Sequence, residues 1–230
     1  MLYVNCDRLD ESLKRIYDGK VCVTQEEFIF LVGEIASKDE YLFKKLPVAP
    51  DYLIDIGANS GYTSIWFHHL YPNAKIIALE PNPDSFERLV YNTKDLPITC
   101  INKGLGDGRD LFLQDHGGTG RAFYKDIGNG KGIESITLLS LFEEMGIDGS
   151  YYLKVDTEGG EKFLLHSENL PVLLNADYTG IEYHAMDGTL PTDRITMSEA
   201  ISIREAALTN HKSIFSRWSA GVEIYFHNKY

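Results

Sequence analysis

The sequence lacks any continuous apolar segment of about 18 residues, the length that a membrane-spanning helix requires. Its first residues, from Met1 to Arg8, also lack the apolar core of a secretory signal peptide. Cysteine is scarce, since Cys6, Cys22 and Cys100 are odd in number and lack the paired spacing of a metal site. We therefore expect free thiols in a reducing compartment, no zinc site, and a cytoplasmic protein that does not span a membrane.

Positive charge is also in short supply. Lys and Arg number 22 against 34 Asp and Glu, which gives a formal net charge of -12, and the basic residues form no cluster. Such a chain repels a phosphate backbone, so we expect neither a nucleic acid nor an anionic membrane as a partner. Hydrophobic residues make up 43% of the chain and charged residues 24%, which is typical of a globular protein.

The chain has the length of one α/β domain with an appendage, at 230 residues. We predict an N-terminal helical extension over residues 1–49 and a main domain over residues 50–230. In the main domain, strand-like and helix-like segments alternate, which predicts a parallel sheet covered on both faces. The predicted strands are 52–57, 75–80, 98–103, 151–156 and 177–184, and the predicted helices are 60–70, 83–94 and one from 196. Residues 213–219 and 222–226 predict a final antiparallel hairpin.

The N-terminal extension has the apolar spacing that is typical of helices. Thr24 followed by Glu27 has the pattern of a capping box, which predicts that a helix begins there. The apolar stripe of this helix consists of Phe28, Leu31, Val32 and Ile35. The stripe suits either the chain's own core or a homodimer, and the sequence leaves both interpretations open.

Residues 104–132 interrupt the alternation with an insert that contains nine glycines. This composition is too polar and flexible for a core, so we expect either a mobile lid or a long hairpin. The insert carries the basic residues Arg109, Arg121 and Lys125. They are either solvated charges or groups that hold an anionic part of a substrate.

The turn after the first main strand lacks the Gly-x-Gly-x-x-Gly pattern that a dinucleotide pyrophosphate requires. Its two glycines, Gly57 and Gly61, instead frame a loop at a helix N-terminus, where backbone N–H groups suit a small carboxylate. Glu80 follows the next strand at roughly the 20-residue offset of a ribose-binding acid, and Asp55 would face a cation. Together these features describe S-adenosylmethionine. The predicted cofactor-binding residues are Asp55, Gly57, Ala58, Asn59, Ser60, Gly61, Glu80, Pro81 and Asn82.

Three pieces of the sequence resemble the FkbM family of S-adenosylmethionine-dependent methyltransferases. They are the loop Asp55 to Gly61, the turn Glu80-Pro81-Asn82-Pro83 with Leu89 and Asn92 downstream, and above all Lys154-Val155-Asp156-Thr157-Glu158-Gly159-Gly160-Glu161. The resemblance extends over about residues 50–184. It implies a Rossmann-like class I methyltransferase fold, with a mostly parallel seven-stranded sheet, and O-methylation of a sugar or polyketide-type hydroxyl. One departure is Leu138-Leu139-Ser140, where the family usually has Thr-Leu-Asp; Ser140 is expected to cap the next helix.

The sheet order that this resemblance implies brings Asp156 close to Glu182 and His184 at the ends of neighbouring strands. Methyl transfer to a hydroxyl needs a group that takes the proton, and we predict Asp156, Glu158 and His184 as catalytic residues. Asp156, Glu182 and His184 could also hold a divalent cation that orients the acceptor. The alternative is that Asp156 or Thr157 only caps the next helix and that the nearby glutamates complement its dipole.

We therefore expect an S-adenosylmethionine-dependent O-methyltransferase that acts on a sugar hydroxyl, at the nucleotide-sugar stage of a surface or capsular polysaccharide. A second hypothesis replaces the sugar with a polyketide or lipid-like alcohol. A third, from another class, is a non-catalytic binding module on the same fold, although the acids at the strand ends argue against it. The expected partners are the small acceptor and, through the N-terminal helices, a second copy of the chain.

Overall fold

The computed structural model describes residues 1–115, 122–125, 131–184, 195–217 and 221–230, with only the backbone at 112–115, 122–125, 131 and 217. In chain order the elements are β1 (Leu2–Tyr3), α1 (Glu11–Tyr17), β2 (Val21–Cys22), α2 (Gln25–Val32), β3 (Tyr52–Ile56), α3 (Tyr62–Leu70), β4 (Lys75–Leu79), α4 (Pro83–Thr93), β5 (Ile98–Ile101), β6 (Gly104–Leu105), β7 (Leu111–Asp115), β8 (Ala122–Lys125), β9 (Lys131–Ile133), β10 (Ser135–Ile136), α5 (Leu138–Met145), β11 (Tyr151–Val155), α6 (Leu170–Asn175), β12 (Tyr178–Glu182), α7 (Met197–Ala207), β13 (His211–Arg217) and β14 (Val222–His227). A π-helical turn, Gly33–Ser37, follows α2. Two 3-10 helices lie at Phe43–Lys45 and Gly160–Leu165. None of the helices in the described ranges is long and apolar enough to cross a membrane.

Seven strands form the central sheet, in the order β13-β14-β12-β11-β3-β4-β5. Neighbours from β12 to β5 are parallel, whereas β14 is antiparallel to both β12 and β13. The predicted mostly parallel sheet with a C-terminal hairpin is confirmed. The order reverses at β3, because β4 and β5 lie on one side of it and β11 and β12 on the other. In parallel sheets a ligand-binding crevice forms at the carboxyl ends of the strands beside such a switch point.

Alternate residues of the central strands pack into two core layers. In β3, Ile54 belongs to the layer that α5, α6 and α7 cover, whereas Leu53 belongs to the layer covered by α3 and the N-terminal segment. Both side chains are fully buried. A strand that is buried on both faces needs a nearly continuous apolar sequence, which explains why the pattern at residues 52–57 predicts a central strand.

Residues 1–49 form part of one of these layers. Phe28 and Phe43 are fully buried and belong to the same cluster as Phe67 of α3 and Tyr152 of β11. The Phe43 ring lies edge-on against Phe67 and Tyr152, with centroids 4.9 and 5.0 Å away. The apolar stripe of α2 therefore serves the chain's own core, the first of the two predicted uses. A homodimer through the N-terminal helices stays a prediction.

The glycine-rich insert forms short strands where it is described. β7 lies between β8 and β9 in a small antiparallel sheet, and β6 pairs in parallel with β10. This arrangement agrees with the predicted hairpin. Residues 116–121 and 126–130 lie outside the described residues, so the interpretation as a lid stays a prediction.

Helix α5 begins earlier than the sequence predicts. Its N-cap is Thr137, whose Oγ1 accepts a hydrogen bond from the Ser140 N–H at 3.2 Å, so Ser140 is not the cap. The preceding strand β10 is only two residues long and ends at Ile136, which pairs with Leu105 of β6. Thr137 is therefore the first residue released from the strand, and it has a hydroxyl that can cap.

Candidate active site

A cavity of about 590 Å³ lies at the switch point between β3 and β11. Its volume is typical of small-molecule sites, which range over roughly 300–1,000 Å³. The loops after β3, β4, β11 and β12 line one side, and the N-terminal segment lines the other. The predicted site residues that line it are Gly57, Ala58, Asn59, Ser60, Glu80, Pro81, Asp156, Glu158 and Glu182.

The loop after β3 lies against the backbone after β11 because Gly57 has no side chain. Gly57 has a φ of +79°, and a Cβ atom there would fall 1.7 Å from the carbonyl oxygen of Asp156. The N–H groups of Gly57 and Ala58 both donate to the carbonyl of Leu79, at 3.0 and 2.9 Å. Gly61, with a φ of +85°, then begins α3. Gly57 thus lines the cavity, whereas Gly61 is the N-cap of the helix that follows the loop.

Asn92 ties this loop to the N-terminal segment. Its side chain is fully buried, and its Nδ2 donates to the carbonyls of Ser60 and Val21 at 2.8 and 3.0 Å. Its Oδ1 accepts from the Val21 N–H at 2.7 Å. Asn92 is part of the family resemblance, but the sequence alone does not reveal this role.

Glu80 lies at the end of β4, next to the same loop. One of its carboxylate oxygens accepts a hydrogen bond from the Asn59 N–H and the other from the Asn82 N–H, both at 2.8 Å. Burial raises the pKa of Glu80 to about 7, although these two hydrogen bonds oppose the shift. Asn82 caps α4, since its Oδ1 accepts from the Asp84 N–H at 2.9 Å. Glu80 is thus held in place and close to its titration point at neutral pH.

Asp55 differs from the expectation that it faces a cation of the ligand. Its carboxylate is fully buried, accepts a hydrogen bond from Ser64 Oγ at 2.7 Å and lies 3.2 Å from Lys154 Nζ. The sheet register is the physical reason, because it pairs Asp55 of β3 with Lys154 of β11. The cation that Asp55 faces therefore belongs to the chain itself.

Lys154 is a site residue to which the sequence analysis assigns no role. Its Nζ donates to the Gly57 carbonyl at 2.8 Å and lies 3.4 Å from Asp156 Oδ2. Burial alone would lower the pKa of Lys154, but the carboxylates of Asp55 and Asp156 outweigh burial and raise it. The ammonium therefore stays charged and joins the loop after β3 to the carboxylate after β11. A lysine within an apolar strand is the sequence signal for such a paired, buried cation.

Asp156, Glu182 and His184 come together at the ends of β11 and β12. One nitrogen or oxygen atom of each lies within 4.8 Å of the others. His184 Nε2 is 3.8 Å from Asp156 Oδ1 and 3.9 Å from Glu182 Oε1. Glu158 Oε2 lies 3.5 Å from the same nitrogen. The convergence that the sheet order predicts is present.

The electrostatics of this cluster disagree with one predicted role. Burial alone would lower the pKa of His184, but the Glu161 carboxylate, with two neighbouring acids, outweighs burial and raises it to about 10. Burial, followed by repulsion from Asp156, raises the pKa of Glu182 to about 8. In the environment that these side chains create, His184 is protonated at pH 7. The prediction that it acts as the base does not agree with this environment.

Glu158 has a backbone conformation that side chains rarely adopt, with a φ of +56°. Its side chain is 25% exposed and lines the cavity. The 3-10 helix that follows has Gly159 as its N-cap, with no side-chain capping bond, so the predicted capping role of Asp156 or Thr157 is wrong. Left-handed non-glycine residues cost about 1 kcal/mol or more and are concentrated at functional sites. The strain at Glu158 therefore points to a function.

The N-terminal segment supplies a wall of the cavity that the sequence analysis does not assign to the site. Phe30 of α2 is 60% exposed and, with Leu31 and Ile35, forms an apolar surface. Carboxylates and a phenol also line this wall: Glu27, Glu34, Glu40 and Tyr41. The sequence feature that indicates this wall is Phe30, an aromatic residue that lies outside the apolar stripe of its helix.

The basic residues predicted to hold an anionic substrate group are only partly described. The Arg109 guanidinium pairs with Asp107, is 75% exposed, and is not among the groups that line the cavity. Arg121 lies outside the described residues, and so does the side chain of Lys125. Their role in substrate binding stays a prediction.

Comparisons with known proteins agree with the geometry. The family model for the methyltransferase FkbM domain matches residues 55–188, more than half of the chain. Methyltransferase sdnD of Sordaria araneosa is 36% identical over 92 residues, which cover 40% of this chain and 34% of that protein. The crystal structure of methyltransferase FkbM from Methylobacillus flagellatus is 14% identical, with a TM-score of 0.51, over 80% of this chain and 45% of that one.

The chain spans less than half the length of both proteins. At this low identity the structural match supports the fold, and the family model supports the sequence relationship. The central sheet, the crevice at its switch point and the match over residues 55–188 agree with each other. This chain belongs to the FkbM methyltransferase family and has its Rossmann-like fold.

Proposed function

We propose that this protein is an S-adenosylmethionine-dependent O-methyltransferase whose acceptor is a sugar hydroxyl. The observation that carries the proposal is one cavity with two sets of polar groups. The loop at residues 57–61 and Glu80 lie on one side of the switch point, and Asp156, Glu158 and Glu182 lie on the other. We assign the first set to the cofactor and the second to the acceptor.

The cofactor fits the first set through its two ends. The N-terminus of α3, with its partial positive charge, suits the carboxylate of the amino-acid end. Glu80 suits the ribose hydroxyls, which would donate to its carboxylate. Each carboxylate oxygen has two lone pairs, so the hydrogen bonds from Asn59 and Asn82 leave capacity for two more donors.

In the proposed reaction, the acceptor oxygen forms a bond to the methyl carbon while the carbon–sulfur bond breaks. The electron pair of that bond goes to sulfur, so the sulfonium becomes a neutral thioether. The hydroxyl proton goes to a base, which we assign to Glu158 because its strained backbone presents the carboxylate to the cavity. Asp156 and His184 flank Glu158 and would orient the hydroxyl.

Two features of the cavity bear on the acceptor. Carboxylates such as Asp156 and Glu182 accept hydrogen bonds from sugar hydroxyls, which supports the sugar. The more specific proposal of a nucleotide sugar depends on the basic residues of the insert, which would hold its anionic groups. The apolar surface formed by Phe30, Leu31 and Ile35 favours a second candidate, a polyketide or lipid-like alcohol.

The test is a transfer assay with methyl-labelled S-adenosylmethionine and one acceptor class at a time. Unactivated sugars, nucleotide sugars and apolar alcohols are compared, and cofactor binding is measured separately by calorimetry. Label in a sugar product is the expected result, whereas label in apolar alcohols alone would favour the second candidate. Cofactor binding without any labelled product would indicate a binding module. Absence of cofactor binding would overturn the proposal.

A further inference from the structure

We propose that Asp156, Glu182 and His184 bind a divalent first-row cation, with Mn²⁺ as the representative ion, and that Glu161 is the positioning residue for His184. The three ligands come from the ends of two adjacent parallel strands, β11 and β12. Their side chains are partly buried at the cavity.

His184 is oriented by a hydrogen bond on the side of the ring that faces away from the cluster. Its Nδ1 lies 3.0 Å from Glu161 Oε1, and its side chain is nine-tenths buried, at 10% exposure. Glu161 is itself fully buried, and the same oxygen accepts hydrogen bonds from Thr157 Oγ1 and the Thr157 N–H at 2.8 and 3.0 Å. Histidines that ligate metals typically donate their other ring N–H to a carboxylate in this way.

The second ring nitrogen of His184 is aimed into the cluster. Within the described part of the chain, Nε2 makes no hydrogen bond, and its nearest charged partners are single oxygens of Asp156, Glu158 and Glu182 at 3.5 to 3.9 Å. Because Nδ1 is engaged by Glu161, Nε2 is the ring atom that faces the carboxylates. A divalent cation would replace the proton on Nε2 and would be held by this nitrogen together with oxygens of Asp156 and Glu182.

Asp156 is held in the same manner. Its Oδ2 accepts a hydrogen bond from the Tyr41 hydroxyl at 3.3 Å and lies 3.4 Å from Lys154 Nζ. These two partners anchor one oxygen, and the other, Oδ1, is the atom that faces His184. Asp156 therefore offers one oriented oxygen to an ion while the other stays bound to the protein.

The separations suit one ion. Two ligand atoms on the same divalent cation lie roughly 3 to 4.5 Å apart, because each metal–ligand bond is about 2.0–2.3 Å long. Two of the three separations here are 3.8 and 3.9 Å, and all lie within 4.8 Å.

The ligand types point to the class of ion. Imidazole suits first-row transition metals, and carboxylates suit Mn²⁺ and Mg²⁺, so one nitrogen with two oxygens favours Mn²⁺-like ions over Ca²⁺. Three protein ligands leave coordination positions open for a hydroxyl oxygen. The ion's chemical role, to lower the pKa of that hydroxyl and orient it, rests on the proposed O-methyl transfer, whereas its binding does not.

The experiment uses the full chain, dialysed against a chelator and then titrated with Mn²⁺ in the absence of cofactor and acceptor. Unbound Mn²⁺ is measured by electron paramagnetic resonance, and pulsed measurements report coupling to an imidazole nitrogen. We expect one Mn²⁺ per chain, with nitrogen coupling that disappears in His184→Ala. Glu182→Gln and Glu161→Gln should lower the affinity about 10- to 100-fold.

Glu34→Gln is the matched control, because Glu34 lines the same cavity but lies outside the cluster. Its affinity for Mn²⁺ should match that of the unmodified chain. The thermal unfolding midpoint checks folding of each variant, and at one Mn²⁺ concentration the ion should raise it more in the unmodified chain than in Glu182→Gln. Absence of stoichiometric binding would mean a histidinium–carboxylate cluster without a metal and would overturn the inference. So would binding that His184→Ala and Glu182→Gln leave unchanged.

The result is separable from the proposed function. Mn²⁺ binding with no methyl transfer to any acceptor would retain the metal site and overturn the proposed activity. Methyl transfer by the chelated chain, with no Mn²⁺ binding, would retain the proposed activity and overturn the metal site.

Discussion

Gly57 and Gly19 both have a positive φ, but only Gly57 lies against another part of the backbone. A Cβ at Gly57 would fall 1.7 Å from the Asp156 carbonyl, whereas a Cβ at Gly19 would meet nothing within 4 Å. Gly57→Ala should therefore lower the free energy of unfolding by about 3 kcal/mol or more, against about 1–2 kcal/mol of backbone strain for Gly19→Ala. Urea unfolding of both variants measures the difference. Equal losses would show that the loop can move away from β11.

Glu80 should give cofactor binding a characteristic pH dependence. The pKa of its carboxyl is about 7 in the folded chain, and in the proposed binding mode the ribose hydroxyls would donate to the ionised form. We expect affinity for S-adenosylmethionine to rise between about pH 6 and pH 8. Glu80→Gln should remove this rise and weaken binding by about 10- to 100-fold, the loss of a charge-assisted hydrogen bond. Calorimetry at several pH values is the measurement, and an unchanged pH profile in the variant would rule out this role.

The same shift has a consequence for stability. Because the pKa of Glu80 is raised by burial above its ordinary value of 4.5, the folded state holds the proton more tightly than the unfolded state. The contribution of Glu80 to the free energy of unfolding is therefore most favourable below pH 4.5 and is lost as the pH rises to about 7. The difference between the unmodified chain and Glu80→Gln, followed over this range, isolates the effect from that of other groups.

Glu158 should show a conflict between stability and function. Its φ of +56° is favourable for glycine, so Glu158→Gly should leave the unfolding midpoint unchanged or raise it. Loss of the carboxylate should lower turnover by about 10²- to 10⁴-fold, the usual contribution of a general base. Glu158→Gln should lose turnover similarly while retaining cofactor affinity. Near-normal turnover in both variants would reject Glu158 as the base.

At the scale of elements, α2 presents two different faces. Phe28 is fully buried in the core, whereas Phe30 is 60% exposed and lines the cavity. Phe28→Ala should cost about 3–5 kcal/mol of stability. Phe30→Ala should cost little stability but change the KM for an apolar acceptor, if that is the substrate class. Thermal unfolding together with acceptor kinetics distinguishes the two faces, and a large stability loss in Phe30→Ala would contradict the assignment.

Element boundaries could be predicted where the capping chemistry is local. Asn82 and Thr196 cap α4 and α7, which agree with the predicted helices at 83–94 and from 196, and Thr196 forms a complete capping box with Glu199. The start of α5 could not be predicted in the same way, because both Thr137 and Ser140 carry hydroxyls that can cap. The choice follows from the short strand before it, whose end depends on pairing with Leu105, 31 positions earlier than Ile136.

At the scale of the whole molecule, the N-terminal segment is a structural part of the domain. Its buried aromatic residues belong to the same cluster as Phe67 and Tyr152. Deletion of residues 1–49 should expose one face of the sheet and lead to aggregation. Deletion of residues 1–3 is the control, since Leu2 and Tyr3 are 49% and 61% exposed, and it should leave folding intact. A soluble, cooperatively unfolding chain without residues 1–49 would contradict this view.

Local sequence patterns were sufficient to predict the α/β class, the glycine loop at residues 57–61, the position of Glu80 and the C-terminal hairpin. Each depends on neighbours a few positions apart or on the alternation of strands and helices. Tertiary structure was needed to pair Asp55 with Lys154, to place Glu161 behind His184 and to fold the N-terminal segment over the cavity. These contacts join groups that are 23 or more positions apart. They depend on sheet register and on helix docking, which periodicity within a single segment does not encode.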